Sequence, residues 1–153
     1  MSKFRTPKSG FTLLEIMLAL GILVTVFGLV WPNLNKFYFG LSQSEDCRSL
    51  AQALRLARDR SLGRFQSSVW GVYLATSTPA WTIFAGPSYA NRYSIWDWRY
   101  IPQVSTQIQF SQTPEIIFSP QFGTTISQQI ILSSSKTQCA VQVSSLGGIF
   151  LSS

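Results

Sequence analysis

The chain has 153 residues, enough for one sizeable domain beyond an N-terminal helix. Its 12 basic and 6 acidic residues give a formal charge of +6 at pH 7, a balance that nucleic-acid-binding proteins share. Histidine, the commonest general base and metal ligand, is absent, and the two cysteines are too few for a structural zinc site. The composition therefore predicts neither a metal site nor histidine-dependent catalysis.

A short basic segment precedes a long apolar segment at the N-terminus. Lys3, Arg5 and Lys8 are followed by residues 11–31, in which Glu15 is the only charged side chain. As a helix this run would be roughly 30 Å long, the thickness of a bilayer core. The basic flank would hold the N-terminus in the cytoplasm. The sequence therefore predicts a single-pass protein of the cytoplasmic (inner) membrane with its C-terminal domain outside.

The carboxylate of Glu15 is unusual in such a run. An acidic side chain inside a membrane span costs about 2.5–3.5 kcal/mol on insertion scales, and such residues usually mark function. The run ends in Trp31-Pro32-Asn33 without a small-x-small cleavage site, and the first cysteine beyond it is Cys47. These features exclude an ordinary signal peptide and a lipoprotein signal. A plain membrane anchor is an alternative, but it leaves Glu15 unexplained.

The segment Lys8-Ser9-Gly10-Phe11-Thr12-Leu13-Leu14-Glu15 resembles the signal of type IV prepilins and type II secretion pseudopilins. The resemblance implies that a membrane-bound prepilin peptidase cleaves between Gly10 and Phe11 and methylates the new amino group of Phe11. It also implies an assembly role for Glu15 and a helix kink at Pro32. The mature chain would leave the membrane lipid and join other pilins or pseudopilins in a helical filament.

This resemblance divides the chain into three parts. Residues 1–10 are a cleaved leader, residues 11–40 a transmembrane and assembly helix, and residues 41–153 an exported globular domain. Loss of the leader leaves 9 basic and 6 acidic residues, which weakens the case for nucleic acid. Inside a filament core Glu15 would need a positive partner, and the Phe11 amine of the same or a neighbouring chain is the nearby candidate.

The exported domain is predicted to begin with a helix from about residue 42 to 62, ended by Gly63. Glu45 and Asp46 would cap its start, because the helix dipole favours acidic groups there. Four residues spaced by four, three and four positions share one face that is predicted to pack on a sheet: Leu50, Leu54, Ala57 and Ser61.

Five arginines form the basic concentration of this domain: Arg48, Arg55, Arg58, Arg60 and Arg64. They could bind nucleic-acid phosphate or an acidic neighbour. A solvated helix face is the favoured interpretation, because the arginines do not share one face and Asp59 interrupts them. Nucleic acid is therefore a partner that the sequence allows but does not favour.

Alternating and β-branched residues after Gly63 predict strands. The predicted strands are residues 69–74, 81–85, 103–110, 115–118, 126–132, 139–143 and 149–151.

The segment 86–102 is rich in aromatic residues and arginine. It could be an interaction loop, because tyrosine, tryptophan and arginine dominate interface hot spots, or a connection that covers an open sheet with its own apolar cluster. Its candidate interaction residues are Tyr89, Arg92, Tyr93, Trp96, Trp98 and Tyr100.

The two cysteines, Cys47 and Cys139, can form one disulfide in an exported domain. Cys47 lies about 60° from the centre of the packed helix face, on the side of the sheet, and Cys139 begins a predicted strand. A bridge is favoured over two buried thiols.

The order of elements predicts an α+β fold, in which a long N-terminal helix with a transmembrane first half packs on an antiparallel β-sheet or β-sandwich. It resembles the GspH/FimT type of minor pilins and pseudopilins, with matching segments at residues 118–123 and 141–149. DNA-binding members carry basic residues near the C-terminus, and residues 149–153 contain none.

The predicted function is that of a structural subunit of a type IV pilus or type II secretion pseudopilus, without catalytic residues, cofactor or metal. The alternatives are a DNA-uptake (competence) pilin and a single-span membrane protein with a ligand-binding β-domain.

Overall fold

The computed structural model describes residues 12–103, 106–134 and 137–152, except for the side chains of residues 30 and 32–40. Helix α1, Leu13–Leu62, is 50 residues long. It passes through Pro32 and Gly40 without a break, whereas the sequence predicts a second helix starting near Ser42. A glycine costs a helix only about 1 kcal/mol and a proline about 3, which the many leucines and alanines elsewhere in α1 help to offset. A kink at Pro32 stays a prediction.

The predicted capping role of Glu45 and Asp46 is wrong, because both residues lie inside α1 rather than at its start. Glu45 is exposed and its Oε1 lies 3.2 Å from Nη1 of Arg48. Asp46 is fully buried, and its carboxylate accepts hydrogen bonds from residues beyond the helix.

The chain divides into two compact units, Met1–Phe37 and Tyr38–Ser153. In the first unit the side chains of residues 12–29 are all exposed, among them Leu13, which is 78 % exposed, and Leu14, which is 77 % exposed. Within the described residues, no helix combines the length and the apolar composition that a membrane crossing requires. The predicted membrane span stays a prediction.

The second unit contains two antiparallel sheets of four strands each, numbered here in chain order. Sheet A consists of β1 (Trp70–Ala75), β2 (Ala80–Ala85), β3 (Trp98–Tyr100) and β5 (Glu115–Phe118), in the order β3-β2-β1-β5. Sheet B consists of β4 (Gln107–Phe110), β6 (Gln128–Ser133), β7 (Gln138–Val143) and β8 (Ile149–Ser152), in the order β4-β6-β7-β8. The predicted α+β class is confirmed.

The hydrophobic core of this unit joins α1 to both sheets. The predicted helix face is confirmed, since Leu50, Leu54, Ala57 and Ser61 are each 0 % exposed. Alternate strand residues complete the core, because side chains along a strand point to opposite faces of the sheet. They include Trp70 and Val72 of β1, Ile130 and Leu132 of β6, and Val141 and Val143 of β7.

Among the side-chain hydrogen bonds that tie α1 to the sheets, one to each sheet is fully buried. Ser61 Oγ donates to the carbonyl oxygen of Phe118 in β5, at 2.6 Å, and Gln43 Nε2 donates to that of Leu132 in β6, at 3.0 Å. All four residues are buried, and pairing the polar groups inside the core avoids the cost of leaving them without partners. The bonds lie 18 positions apart along α1 and fix its register on the two sheets.

Of the eight strands in the described residues, seven overlap predicted ones, although β4 begins four residues later than predicted. Strand β3 is not predicted, because its three residues are too few to show an alternating pattern and lie within the aromatic segment.

Candidate interaction and assembly sites

The N-terminus of α1 has a hydrogen-bonded cap. The backbone N–H of Glu15 donates to Oγ1 of Thr12 at 3.3 Å, and α1 begins one residue after Thr12. Thr12-Leu13-Leu14-Glu15 has the spacing of a capping box, in which threonine precedes the helix and glutamate stands at its third position. The Glu15 carboxylate is exposed in the first turn, where the helix dipole favours negative charge. Gly10 and Phe11, the predicted cleavage and methylation site, lie outside the described residues.

Cys47 and Cys139 are joined in a disulfide, with Cα atoms 6.6 Å apart. The bridge connects α1 with β7 of sheet B across 92 positions of sequence. Cys47 is only 3 % exposed, and Cys139 is half-buried opposite Leu132 of β6. A shallow depression of about 210 Å³ adjoins the bridge and is lined by Ser44, Cys47, Arg48, Cys139, Leu151 and Ser152.

Two of the six candidate residues in the aromatic segment cover the outer face of sheet A. The Tyr89 ring stacks on Tyr73 with centroids 3.9 Å apart and meets the buried Phe84 edge-on at 5.7 Å. Arg92 lies over the Tyr89 ring at 3.9 Å, and its Nε donates to Oδ2 of Asp97 at 2.6 Å. This hydrogen bond raises the pKa of the Arg92 guanidinium. Tyr89 and Arg92 therefore have the contacts expected of a covering connection.

The other candidates lie at or near β3. Tyr93, Trp96 and Trp98 are 62 %, 40 % and 60 % exposed. Tyr100 is half-buried and stacks on Trp81 with centroids 4.6 Å apart. The interaction role of these residues stays a prediction.

A groove, called here the β3 groove, lies between α1 and β3 and has a volume of about 170 Å³. Its floor comes from cross-strand pairs on one face of sheet A, since Ile83 is opposite Trp98 and Trp81 is opposite Tyr100. One flank of α1 forms the wall of the groove. The full lining is Ser49, Gln52, Ala53, Leu56, Trp81, Ile83, Trp98 and Tyr100.

Further along the same flank of α1, Arg60 lies four positions beyond Leu56. Its guanidinium carbon is 4.7 Å from the centre of the Trp70 ring and 5.7 Å from that of Phe65. Phe65 meets Trp96 edge-on at 6.3 Å, which joins this aromatic cluster to the segment before β3. Sequence reasoning misses this cluster, because Phe65 lies 31 positions before Trp96 and only the fold brings them together.

Three other arginines of the predicted basic concentration have contacts in other places. Arg48 pairs with Glu45, and Arg55 Nη2 donates to the carbonyl oxygen of Ile149 in β8 at 3.5 Å. Arg58 lies against the backbone turns at Gly123 and Gly147. These contacts separate the arginines instead of gathering them on one basic surface. Within the described residues, no group of acidic residues and cysteines could hold a metal ion.

Residues 5–31 match the model of the prokaryotic N-terminal methylation motif. Among solved structures, the minor pseudopilin EpsH from the type 2 secretion system of Vibrio cholerae matches with a TM-score of 0.56 and 14 % identity. The match covers 72 % of this chain and 95 % of EpsH. The resemblance to type IV pilins and pseudopilins is confirmed. No curated protein matches the chain in sequence.

The motif and the fold together support a pilin or pseudopilin subunit. At 14 % identity, the match to EpsH shows a shared fold and nothing further about this chain's partners.

Proposed function

We propose that the chain is a minor pilin or pseudopilin, a structural subunit of a type IV pilus or a type II secretion pseudopilus. In this proposal prepilin peptidase cleaves between Gly10 and Phe11 and methylates Phe11, and the mature chain joins a filament of related subunits. The methylation motif at residues 5–31 carries the proposal, because it contains the capped start of α1 in a chain with a pseudopilin-like fold.

The proposal assigns residues 11–40 to the membrane before assembly and to the filament afterwards, with residues 41–153 as the exported domain. Side chains of the first part of α1 are exposed on every side of the helix, including Leu18, Leu23 and Phe27, at 64 %, 49 % and 61 %. A helix that is apolar all round requires an apolar environment. Lipid supplies that environment before assembly and neighbouring pilin helices supply it within the filament.

Glu15 has two compatible roles in this proposal. As part of the capping box it stabilises the start of α1. In the filament it would pair with the amine of a neighbouring Phe11 and set the axial register of subunits, as a single buried polar residue sets the register of a coiled coil.

Intact-mass and N-terminal analysis tests the processing step in bacteria that express a prepilin peptidase. The expected product begins at Phe11 and carries one methyl group. Gly10→Val should block cleavage, because a peptidase that accepts glycine leaves little room for a side chain, whereas Ser9→Ala should leave cleavage intact as a matched control. A mature N-terminus located after Trp31 would contradict the proposal.

The DNA-uptake alternative draws little support from the arginines of α1, since four of them have separate contacts with protein groups. Binding of the full chain to duplex DNA over a series of salt concentrations tests this alternative, because phosphate contacts would give a steep loss of affinity with salt. A flat response would leave the structural role as the working proposal.

A further inference from the structure

The β3 groove is an uncovered part of the layer between α1 and sheet A. An α-helix with its side chains is about 10 Å wide and strands are about 4.8 Å apart, so one helix covers roughly two strands. Strand β3 is the edge strand of four, and its inward-facing Trp98 remains 60 % exposed beside Ala53 and Leu56 of α1. The face of β3 therefore extends beyond the cover that α1 provides.

The size and lining of the groove suit a protein side chain better than a cofactor. Its volume of about 170 Å³ is below the roughly 300–1,000 Å³ of ordinary small-molecule sites. Apolar and aromatic residues dominate the lining, and interface anchors are commonly large apolar side chains held in such pockets. Trp81 lines the groove, and its buried Nε1 has no acceptor in the part of the chain that the structure describes.

The charge near the groove is positive at one end. Arg60 lies over the Trp70 ring and has no carboxylate partner among the described residues. At the other end the Asp46 carboxylate already accepts hydrogen bonds from the Tyr100 hydroxyl and the backbone N–H of Gln103, both at 3.3 Å. A partner that lies along this flank of α1 would therefore contact the apolar centre of the groove and, beyond it, the guanidinium of Arg60.

The exposed face of α1 in the same unit does not match this groove, which argues against a second copy that docks through that face. Between the exposed Leu41 and Leu62, its exposed residues are polar or charged and offer no continuous apolar stripe: Glu45, Arg48, Gln52, Arg55 and Asp59. Two of them are arginines, which would bring further positive charge towards Arg60.

We propose that the β3 groove binds an amphipathic helix of a different protein, with a large apolar side chain between Leu56 and Trp98 and a carboxylate at Arg60. A helix is the occupant that fits, because it would lie beside α1 on the inner face of β3 and complete the helical layer. A strand added to the outer edge of β3 would leave the groove empty. The inference rests on the second unit alone and does not depend on the proposed filament role.

The test uses the full chain in lipid nanodiscs and synthetic helical peptides of about 18 residues, long enough to form a helix in water. One peptide carries leucine and phenylalanine on one stripe and glutamates at one end of it. A second peptide has lysine in place of each glutamate, and a third has the first peptide's residues in scrambled order. Fluorescence anisotropy of labelled peptides gives the affinities, with empty nanodiscs as the lipid background. A photoreactive leucine in the stripe locates the contact by mass spectrometry.

The glutamate peptide should bind at least about tenfold more tightly than the lysine or scrambled peptide, because opposite charges meet only in that complex. Gln52→Trp, at an exposed position of the lining, should fill the groove and reduce binding about tenfold or more, whereas Gln142→Trp on sheet B should not. Arg60→Gln should remove the preference for glutamate over lysine. Photo-adducts should map to Gln52, Leu56 or Trp98.

Equal affinities for the three peptides, no binding above the lipid background, or adducts confined to sheet B would overturn the proposal. Self-association of the chain that Gln52→Trp abolishes would overturn it in favour of a second copy as the occupant. Because the Gln52 and Gln142 variants change exposed residues, both should keep the unfolding transition of the unmodified chain, which serves as the control for folding.

Discussion

The hydroxyl of Tyr100 donates a hydrogen bond to Oδ1 of Asp46 over 3.3 Å, and this bond joins the edge strand β3 to the middle of α1. Asp46 is fully buried, and the Tyr100 ring stacks on Trp81 of β2. The pKa of Tyr100 is raised above its ordinary value of 10.0. Burial of the side chain is the larger cause, and the negative charge of Asp46 is the second. A residue that lines the β3 groove is therefore held by a bond that requires a neutral tyrosine.

This bond predicts a loss of stability in alkaline solution. The pKa of Tyr100 is higher in the folded than in the unfolded chain. The contribution of this hydroxyl to the free energy of unfolding is therefore complete below pH 10. It is lost as the pH rises through the pKa of Tyr100 in the folded chain. Tyr100→Phe should cost about 0.5–1.5 kcal/mol at neutral pH and should make the alkaline decline less steep.

Chemical denaturation of the detergent-solubilised chain, at about pH 7 and at about pH 10.5, measures both effects. Tyr93→Phe is the matched control, because Tyr93 is 62 % exposed. The assignment fails if the two variants lose stability between the two pH values by the same amount.

A second prediction concerns the turn at Gly147, where the backbone has a φ of +76°. A Cβ atom there would overlap the carbonyl oxygen of Gly123 and would lie 2.9 Å from Nε of Arg58. Gly147→Ala should therefore lower the free energy of unfolding by more than the roughly 1–3 kcal/mol that the backbone conformation alone costs.

The neighbouring glycine provides the control for this prediction. A Cβ atom on Gly148 would meet side-chain atoms of Phe150 and Ser144 at 2.9 Å, and the exposed Phe150 ring can move aside. In thermal unfolding, the midpoint of Gly147→Ala should be well below that of Gly148→Ala. Similar midpoints for the two variants would refute the close approach of the Gly123 and Gly147 turns.

The disulfide makes a third prediction. Closing a loop across 92 positions should stabilise the domain by about 4–5 kcal/mol in the chain-entropy model. Reductant should therefore lower the unfolding midpoint of the unmodified chain. The double variant Cys47→Ala with Cys139→Ala should start at a lower midpoint and should not respond to reductant. Two free thiols in the protein purified without reductant, measured by mass after alkylation, would exclude the bridge.

The sequence was sufficient for those parts of the fold that local patterns determine. The spacing of Leu50, Leu54, Ala57 and Ser61 identifies the buried face of α1, and alternating residues locate most strands. Helix continuity through Gly40 was not predictable in the same way, because helical propensity on both sides outweighs one unfavourable residue. Local pattern gives the type of an element more reliably than its ends.

Features that depend on long-range contacts could not be predicted from the sequence. Asp46 looks like a capping residue in sequence, and its partners Tyr100 and Gln103 lie more than 50 positions away. Composition does not distinguish one aromatic residue of the segment 86–102 from another. In the fold, however, Tyr89 packs on sheet A and Trp98 lies at the rim of the β3 groove. Such roles follow from strand pairing, which residue composition does not specify.

The last prediction separates the two roles of Glu15. Glutamine at position 15 keeps the hydrogen-bonding capacity of a capping box but has no charge. Alanine has neither the hydrogen-bonding capacity nor the charge. If Glu15 pairs with the Phe11 amine of a neighbour, Glu15→Gln and Glu15→Ala should both reduce incorporation strongly, since breaking a buried ion pair costs about 3–5 kcal/mol. If capping is the main role, Glu15→Gln should reach filaments at the level of the unmodified chain.

Thr12 provides the complementary test, because its Oγ1 accepts the capping hydrogen bond from the Glu15 backbone. Thr12→Val should cost the helix about 1 kcal/mol and leave incorporation largely intact, and Thr12→Ser should change neither. Cells are fractionated into membrane and sheared filaments, and each fraction is probed for the subunit, with cleavage at Gly10 checked by mass. Incorporation of Glu15→Gln at the unmodified level, together with a loss for Thr12→Val, would assign Glu15 to the helix cap and remove the register-setting ion pair from the proposal.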